Sequence, residues 1–229
     1  MATLIELTKL SGGPGSVRLL VLLLAAGLTI LVAVPRRRRA ALIGLASVTL
    51  AYLVMATPAV ADLTVRALPE SEPIADSDIQ GIQTLFFFDG DNRFGRVREF
   101  ERINRLARPE RIYMLGRLSV YKDLRLMGIP SRQIEHDETL DNTSDQIRRT
   151  VAALAAHESG RAAILVSCLQ APRVRLLAGR AGLNLPVLAA PLDEDLPKGG
   201  IGRFVPSLAA LAVTRDAIYE VAALAYYTR

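Results

Sequence analysis

The stretch GIPSRQIEHDETLDNTSDQ, from Gly128 to Gln146, decides the fold. Gly128 and Pro130 close whatever helix precedes them, because a glycine relieves the backbone after a last turn and a proline cannot continue it. Gln133–His136 then reads as a short strand, followed by an acidic loop and the start of a helix. Thr143 with Gln146 three residues later is a capping-box pattern, in which each side chain satisfies an amide left free by the first helical turn. Read for structure alone, Asp141, Asn142 and Thr143 do no more than cap that helix. Read for function, the same turn is a ligand site, since open α/β sheets bind ligands beyond the carboxyl ends of their strands, where helix amino-termini present free amides.

The segments on either side repeat the pattern. Ile82–Phe88 is a buried strand candidate ending at Asp89-Gly90, and Arg96–Leu106 follows with Val97, Phe100, Ile103 and Leu106 on one helical stripe. Arg111–Leu115 is a second strand, ending at Gly116, with a helix over Leu118–Met127. After the helix Ser144–His157 comes Ala162–Cys168, the strongest strand pattern in the chain, and then a helix to Ala181 with Pro172 in its first turn, where a missing amide costs nothing. Leu185–Ala189 is a fifth strand, and a long helix from about Val205 to Tyr227 follows. Strands alternating with helices of this length predict an α/β fold: a Rossmann-like parallel sheet with helices on both faces.

Upstream the composition changes. Leu19–Val34 and Ala40–Ala61 carry no charge and are separated only by Arg36–Arg39. A hydrocarbon core needs about 20 helical residues, so the two runs predict a pair of transmembrane helices joined by a tight arginine loop. A buried helical hairpin is the alternative, but it would set four arginines against a core. Basic loops stay cytoplasmic, which sends the amino-terminus and everything after Ala61 to the periplasmic or extracytoplasmic side of a bacterial inner membrane. Ala59-Val60-Ala61 before Asp62 also mimics a signal-peptide cleavage site, a reading opposed by the further apolar run upstream. The expected organisation is a two-span hairpin over residues 1–61, a polar linker without a buried face over 62–80, and a Rossmann-like domain over 81–229.

Charge excludes one large function class. Of 28 basic and 23 acidic residues, six basic and one acidic lie within residues 1–61, which leaves 22 of each sign downstream. The excess of positive charge thus sits beside the apolar runs and orients them, instead of forming a nucleic-acid footprint. Tryptophan is absent, so stacking platforms for single strands are scarce as well. The lone Cys168 permits no intrachain disulfide and no cysteine-based metal cluster, and with only His136 and His157 no multi-histidine metal site is expected.

Five pieces of the downstream sequence, in register from Ile82 to Tyr227, resemble the ElyC/SanA/YdcF family of bacterial envelope proteins. They are the first strand ending at Gly90 with Arg96 in the next helix, and Arg111–Gly116. Met127-Gly128-Ile129-Pro130 with Asn142-Thr143 is the third, Ser167 with Pro172-Arg173 the fourth, and Val205-Pro206-Ser207 with Tyr219, Glu220 and Tyr226 the last. The two preceding apolar runs also match the ElyC-like arrangement. The resemblance implies ligand-binding roles for Gly90, Arg96, Gly116, Asn142, Thr143, Ser167 and Arg173, and a place in cell-envelope or surface-polysaccharide biogenesis. Several family positions are changed: the turn histidine falls on Gln170, the turn threonine on Val166, the acid before the Asn-Thr pair on Asp137, the serine between on Leu140, and the second asparagine on Gln146. The glutamate after the second glycine turn has no counterpart near Ser119 and Val120.

Residue chemistry narrows the readings. Arg173 at a helix start suits bidentate capture of a phosphate, or an ion pair with Asp137, Glu138 or Asp141. Ser167 lacks a partner of useful pKa at Gln170, which makes a satisfied hydroxyl its expected role and leaves the catalytic residues, and enzymatic activity itself, unassigned. Asp137, Glu138, Asp141 and Asp145 can pair for acid–base work or hold a divalent ion, but helix-start carboxylates on a solvated loop are the plainer reading. Cys168 reads as a core thiol. Some members of the family are associated with S-adenosylmethionine, yet no motif here selects a cofactor. Two functions follow: an outward-facing domain that binds a phosphate-bearing envelope precursor or lipid carrier, or a non-catalytic structural or assembly subunit of a larger membrane complex.

Overall fold

The computed structural model describes residues 17–33, 36, 38–71, 74–90, 92–116, 118–140, 142–156, 160–193 and 196–228. The chain divides into two compact units: residues 69–193 with 223–229, and residues 1–68 with 194–222.

The first of these holds five strands: β1 (Thr84–Phe88), β2 (Arg111–Leu115), β3 (Ile134–Asp137), β4 (Ala162–Ser167) and β5 (Val187–Ala190). All four pairings are parallel and the order is β3-β2-β1-β4-β5. The expected Rossmann-like α/β sheet is therefore present. Side chains alternate across it with the period of two that a pleated strand imposes. Leu85, Phe87, Ile112, Met114, Ala163 and Leu165 join one core; Phe86, Phe88, Tyr113, Leu115, Ile164 and Val166 join the other. Because both faces are buried, β1 and β4 read as nearly unbroken apolar runs, whereas the edge strand β3, Ile-Glu-His-Asp, buries only Ile134.

Helices cover each face. α5 (Arg93–Leu106) and α6 (Leu118–Leu126) supply Phe100, Ile103, Val120 and Leu124 to the first core. α7 (Thr143–Ala156) and α8 (Ala171–Arg180) supply Ile147, Ala153, Val174 and Ala178 to the second. Aromatic rings lock the centre: Phe86 stacks on Tyr113 with ring centroids 4.9 Å apart, and Phe87 meets Phe100 at 6.0 Å. Truncating either central phenylalanine to alanine costs about 3–5 kcal/mol by the usual loss of burial plus cavity.

The second unit begins with α1 (Val17–Ala33) and α2 (Arg38–Met55). Gly27 lies so close to Leu45 that an added Cβ would come within 2.5 Å of its Cδ2, while Leu20 packs against the cluster of Tyr52, Ala56 and Leu211. One index rises as the other falls, so the pair is antiparallel, with a small residue at the close approach as apolar helix pairs favour. The structure does not support the expected pair of spans. Among the described residues α2 alone is long and apolar enough to cross a bilayer; Leu19–Ala33 is apolar but shorter. Nor does the second run continue to Ala61. The helix stops at Met55, and Thr57 caps a new one, α3 (Pro58–Arg66), accepting from the Val60 amide with Pro58 in the first turn. Pro58, a mild exception in an apolar run when read as composition, is a helix start when its missing N–H is considered.

The stretch 62–80 also holds more than a linker. α3 runs through it to Arg66 with Ala61 buried, and α4 (Asp76–Ile79) puts a fully buried Ile79 into the first core. α3 buries only Pro58 and Ala61 and α4 only Ile79, too few to show as periodicity. The last helix, α9 (Leu208–Tyr227), opens where the Ser207 amide donates to the Ala56 carbonyl at 2.8 Å, and its Leu211 packs on Tyr52 and Ala56. Tyr227, beyond the division at Ala222, lies with its hydroxyl 3.4 Å from Ser144 Oγ.

Candidate functional site

The sheet order reverses between β1 and β4, and it is outside the carboxyl ends of such a pair that a crevice is expected. The rim there is stiff. Beyond the last paired residues, the Asp89 amide donates to the Leu115 carbonyl, Gly116 to Asp137 and Cys168 to Ala190, each at 2.9 Å. Gly116 has φ +136°, and a Cβ on it would come within 2.1 Å of the Asp89 Cβ. Only glycine fits that turn. Its carbonyl meets His136 Nε2 at 2.7 Å, which requires the proton on that nitrogen, and the imidazole stacks on Tyr121 at 5.1 Å.

Arg96 is fully buried. Its Nη1 donates to the Phe88 carbonyl and its Nη2 to the Gly90 carbonyl at 2.7 Å, with Asp89 Oδ1 at 3.4 Å and the Phe87 ring 5.4 Å below the guanidinium. These bonds hold the turn after β1, so Arg96 shapes the backbone of the site through Gly90. Gly90 in turn lies beneath the side chain of Gln170, and an added Cβ would be 1.8 Å from Gln170 Nε2. The amide of Gln170 therefore covers the backbone at the switch point. It is only 7 % exposed, and its Oε1 has no hydrogen-bond partner among the described residues. The backbone N–H of Gln170 donates to Ser167 Oγ at 3.3 Å, so the buried Ser167 caps the approach to α8, in line with the satisfied hydroxyl expected of it.

At the start of α7 the sequence pattern is displaced by one residue. Asn142 Oδ1 accepts from the Asp145 amide at 2.9 Å while its Nδ2 donates to Asp145 Oδ2 at 2.6 Å. Asn142 is thus the cap, and the expected Thr143–Gln146 box does not form. Thr143 is freed for another role: its hydroxyl accepts from Arg173 Nη1, and both residues are buried, Arg173 being 6 % exposed. Gln146 Nε2 donates to the Leu115 carbonyl at 2.8 Å, tying α7 to the end of β2. One hydrogen bond therefore joins the first turns of α7 and α8, and two positive dipole ends and a guanidinium lie together.

The acidic residues are dispersed. Asp137 Oδ1 accepts from the Thr139 hydroxyl at 2.7 Å and from its amide at 3.1 Å, with Arg149 3.7 Å from the other oxygen. The hydroxyl bond first, then the amide and the arginine, hold its carboxyl below the ordinary range. Asp145 is likewise lowered, chiefly by Arg148. Asp141, His157 and Asp91 lie outside the described residues. Among the described residues no three of His, Cys, Asp and Glu are grouped to hold a metal ion. Cys168 is half-buried against the second core, and its carbonyl receives the Ser71 hydroxyl at 3.3 Å.

A cavity of about 250 Å³ lies at the other end of the sheet, lined by the first residues of β2 and the start of β3 with Arg111 and Arg132. Both arginines are exposed, and among the described residues no unpartnered buried polar atom belongs to the lining of this cavity. The buried polar residues Arg96, Thr143, Ser167, Gln170 and Arg173 lie toward the carboxyl edge. Of the residues expected to form the site, the structure links Thr143 with Arg173, Ser167 with Gln170, and Gly90 with Gln170 and Arg96, while Asn142 caps the helix whose first residue is Thr143. Gln170 and His136 lie among them without being expected from the sequence; the one local mark of Gln170 is its place two residues before Pro172.

No protein-family model matches the chain, and comparison with curated proteins and with solved structures gives no significant match. Fold and rim together define its class: a Rossmann-like α/β domain whose β1–β4 switch point is formed by buried polar residues, carried on a chain with an apolar helical unit.

Proposed function

We propose that this chain is a bacterial inner-membrane protein in which α1 and α2 insert as a hairpin. Its Rossmann-like domain faces the periplasmic or extracytoplasmic side and acts in cell-envelope or surface-polysaccharide biogenesis, binding a phosphate-bearing precursor or lipid carrier. The observation that carries the site is the buried Arg173–Thr143 bond, which brings two helix amino-termini and a guanidinium to one point beside the switch position. That combination favours a negative group. The sequence resemblance to the ElyC/SanA/YdcF family supplies the envelope context. Anchoring is supported by the outward apolar faces of the hairpin, where Leu22, Leu28, Ile43 and Leu50 are exposed, and by the run Arg36–Arg39, whose last two arginines open α2.

A second reading, the non-catalytic assembly subunit, is favoured by one specific feature. Gln170 lies over Gly90, where a ligand would approach the backbone. Purification of the full chain in mild detergent, followed by native mass spectrometry and phosphorus analysis, separates the two. The ligand reading expects a phosphorylated small molecule on the wild type and its loss from Arg173→Gln, a change on the order of 2–5 kcal/mol in binding when a buried charge partner is removed. A stoichiometric protein partner with no bound phosphorus gives the lead to the assembly reading.

A further inference from the structure

The most apolar exposed surface outside the α1–α2 pair belongs to the turn before α9. Ile201, Phe204 and Leu208 are 86, 66 and 77 % exposed, and Val205 beside them is exposed too. Four large apolar side chains within eight residues is more than a surface in water ordinarily carries. The turn over Ile201–Phe204 packs on α3, whose Leu63 is 68 % exposed.

The position of this patch is fixed by its hydrogen bonding. The Ser207 amide takes the Ala56 carbonyl, one of the acceptors that the end of α2 leaves unpaired. Leu211 then packs on Tyr52 and Ala56. The patch is therefore level with the end of α2, where a spanning helix leaves the hydrocarbon. Its charged fringe suits that depth. Arg203 lies 3.6 Å and Arg66 2.9 Å from Asp62, the Arg66 side chain is 74 % exposed, and Lys198, just ahead of the turn in the chain, is exposed. Basic side chains around apolar ones are the composition of an element lying at the boundary of headgroups and acyl chains, where anionic lipids attract the cations.

We propose that Ile201–Leu208, together with α3, forms an interfacial foot that rests in the headgroup region of the bilayer leaflet at which α2 ends. Its occupant is the lipid surface, because the patch is continuous through the Ser207–Ala56 bond with the helix that supplies the span and carries a basic fringe. The inference rests on the membrane-anchored reading above, and its test separates the two.

The full chain carrying Cys168→Ala receives one cysteine at a time, by Leu50→Cys, Phe204→Cys or Arg132→Cys. Each is labelled with an environment-sensitive fluorophore and reconstituted into nanodiscs of phosphatidylethanolamine and phosphatidylglycerol. The discs contain lipids with a quencher either near the headgroup or at the chain end. The label at Phe204→Cys is expected to lose most of its emission to the headgroup-level quencher and little to the deep one. Leu50→Cys responds to lipid quenchers as a span should, and Arg132→Cys responds to neither. Quenching at Leu50→Cys with none at Phe204→Cys overturns the foot and leaves the anchor standing, as does protection of Phe204→Cys by a bound protein. Stronger quenching of Phe204→Cys by the deep probe also overturns it. If Leu50→Cys is unquenched as well, the anchor fails and the foot fails with it.

Discussion

Thr143 and Asn142 are neighbours in the chain with separate duties, and two substitutions distinguish them. Asn142→Ala removes the side-chain acceptor from the Asp145 amide and is expected to cost about 1 kcal/mol in urea unfolding, the ordinary price of a lost cap. Thr143→Ala leaves the cap intact but deprives a buried guanidinium of an acceptor, at about 1.5–3 kcal/mol. In a double-mutant cycle Thr143→Ala should couple to Arg173→Met and not to Asn142→Ala. Asp137 gives a pH test of the same loop. Its carboxyl is held below the ordinary value by the Thr139 hydroxyl, so the unfolded chain takes up its proton at a higher pH than the folded one. The stabilisation is complete above about pH 4 and is lost as pH falls through the lower, folded value. Urea midpoints measured across that range should fall less steeply for Asp137→Asn than for the wild type.

At the scale of elements, the contact between the β1 turn and the start of α8 is the most sensitive. A Cβ at Gly90 would sit 1.8 Å from Gln170 Nε2, and that amide is too enclosed to move aside freely. Gly90→Ala is expected to cost about 1–3 kcal/mol, as overpacking does, and Gln170→Ala in the same chain should restore most of the loss; thermal unfolding of the single and double variants reads both. A Gly90→Ala chain as stable as the wild type would mean that Gln170 does not rest on this turn. Much of this architecture was legible in the sequence. The strands show because burial on both faces leaves unbroken runs such as Leu85–Phe88 and Ala162–Val166, and Gly116 shows because its turn tolerates no side chain. What stayed hidden were the choices between equivalent local chemistries. Asn142 and Thr143 are both good caps, and only the position of Arg173 on another helix decides that the asparagine takes the amide and the threonine the guanidinium. Gln170 looked like the loss of a functional histidine, since nothing local reveals that its side chain crosses to Gly90, eighty residues earlier in the chain.

At the scale of the whole molecule, residues 194–222 group with residues 1–68 while residues 69–193 form the sheet unit. Neither composition nor periodicity marks that association, because the contacts that fix it, Ser207 to Ala56 and Leu211 to Tyr52, join residues about 150 positions apart. The apolar runs themselves were plain in the sequence; the break at Thr57-Pro58 was not, since it depends on a cap that only the folded chain displays. We propose above that α1 and α2 anchor the chain with Arg36–Arg39 on the cytoplasmic side and the Rossmann-like domain on the other. Neutral residues in place of Arg36–Arg39 should weaken or scramble that orientation. The most direct measurement is a reporter active only outside the cytoplasm, fused after Arg229 in a Gram-negative cell: the account predicts activity there, and it would be contradicted by an inactive fusion alongside a cytoplasm-only reporter that is active at the same position.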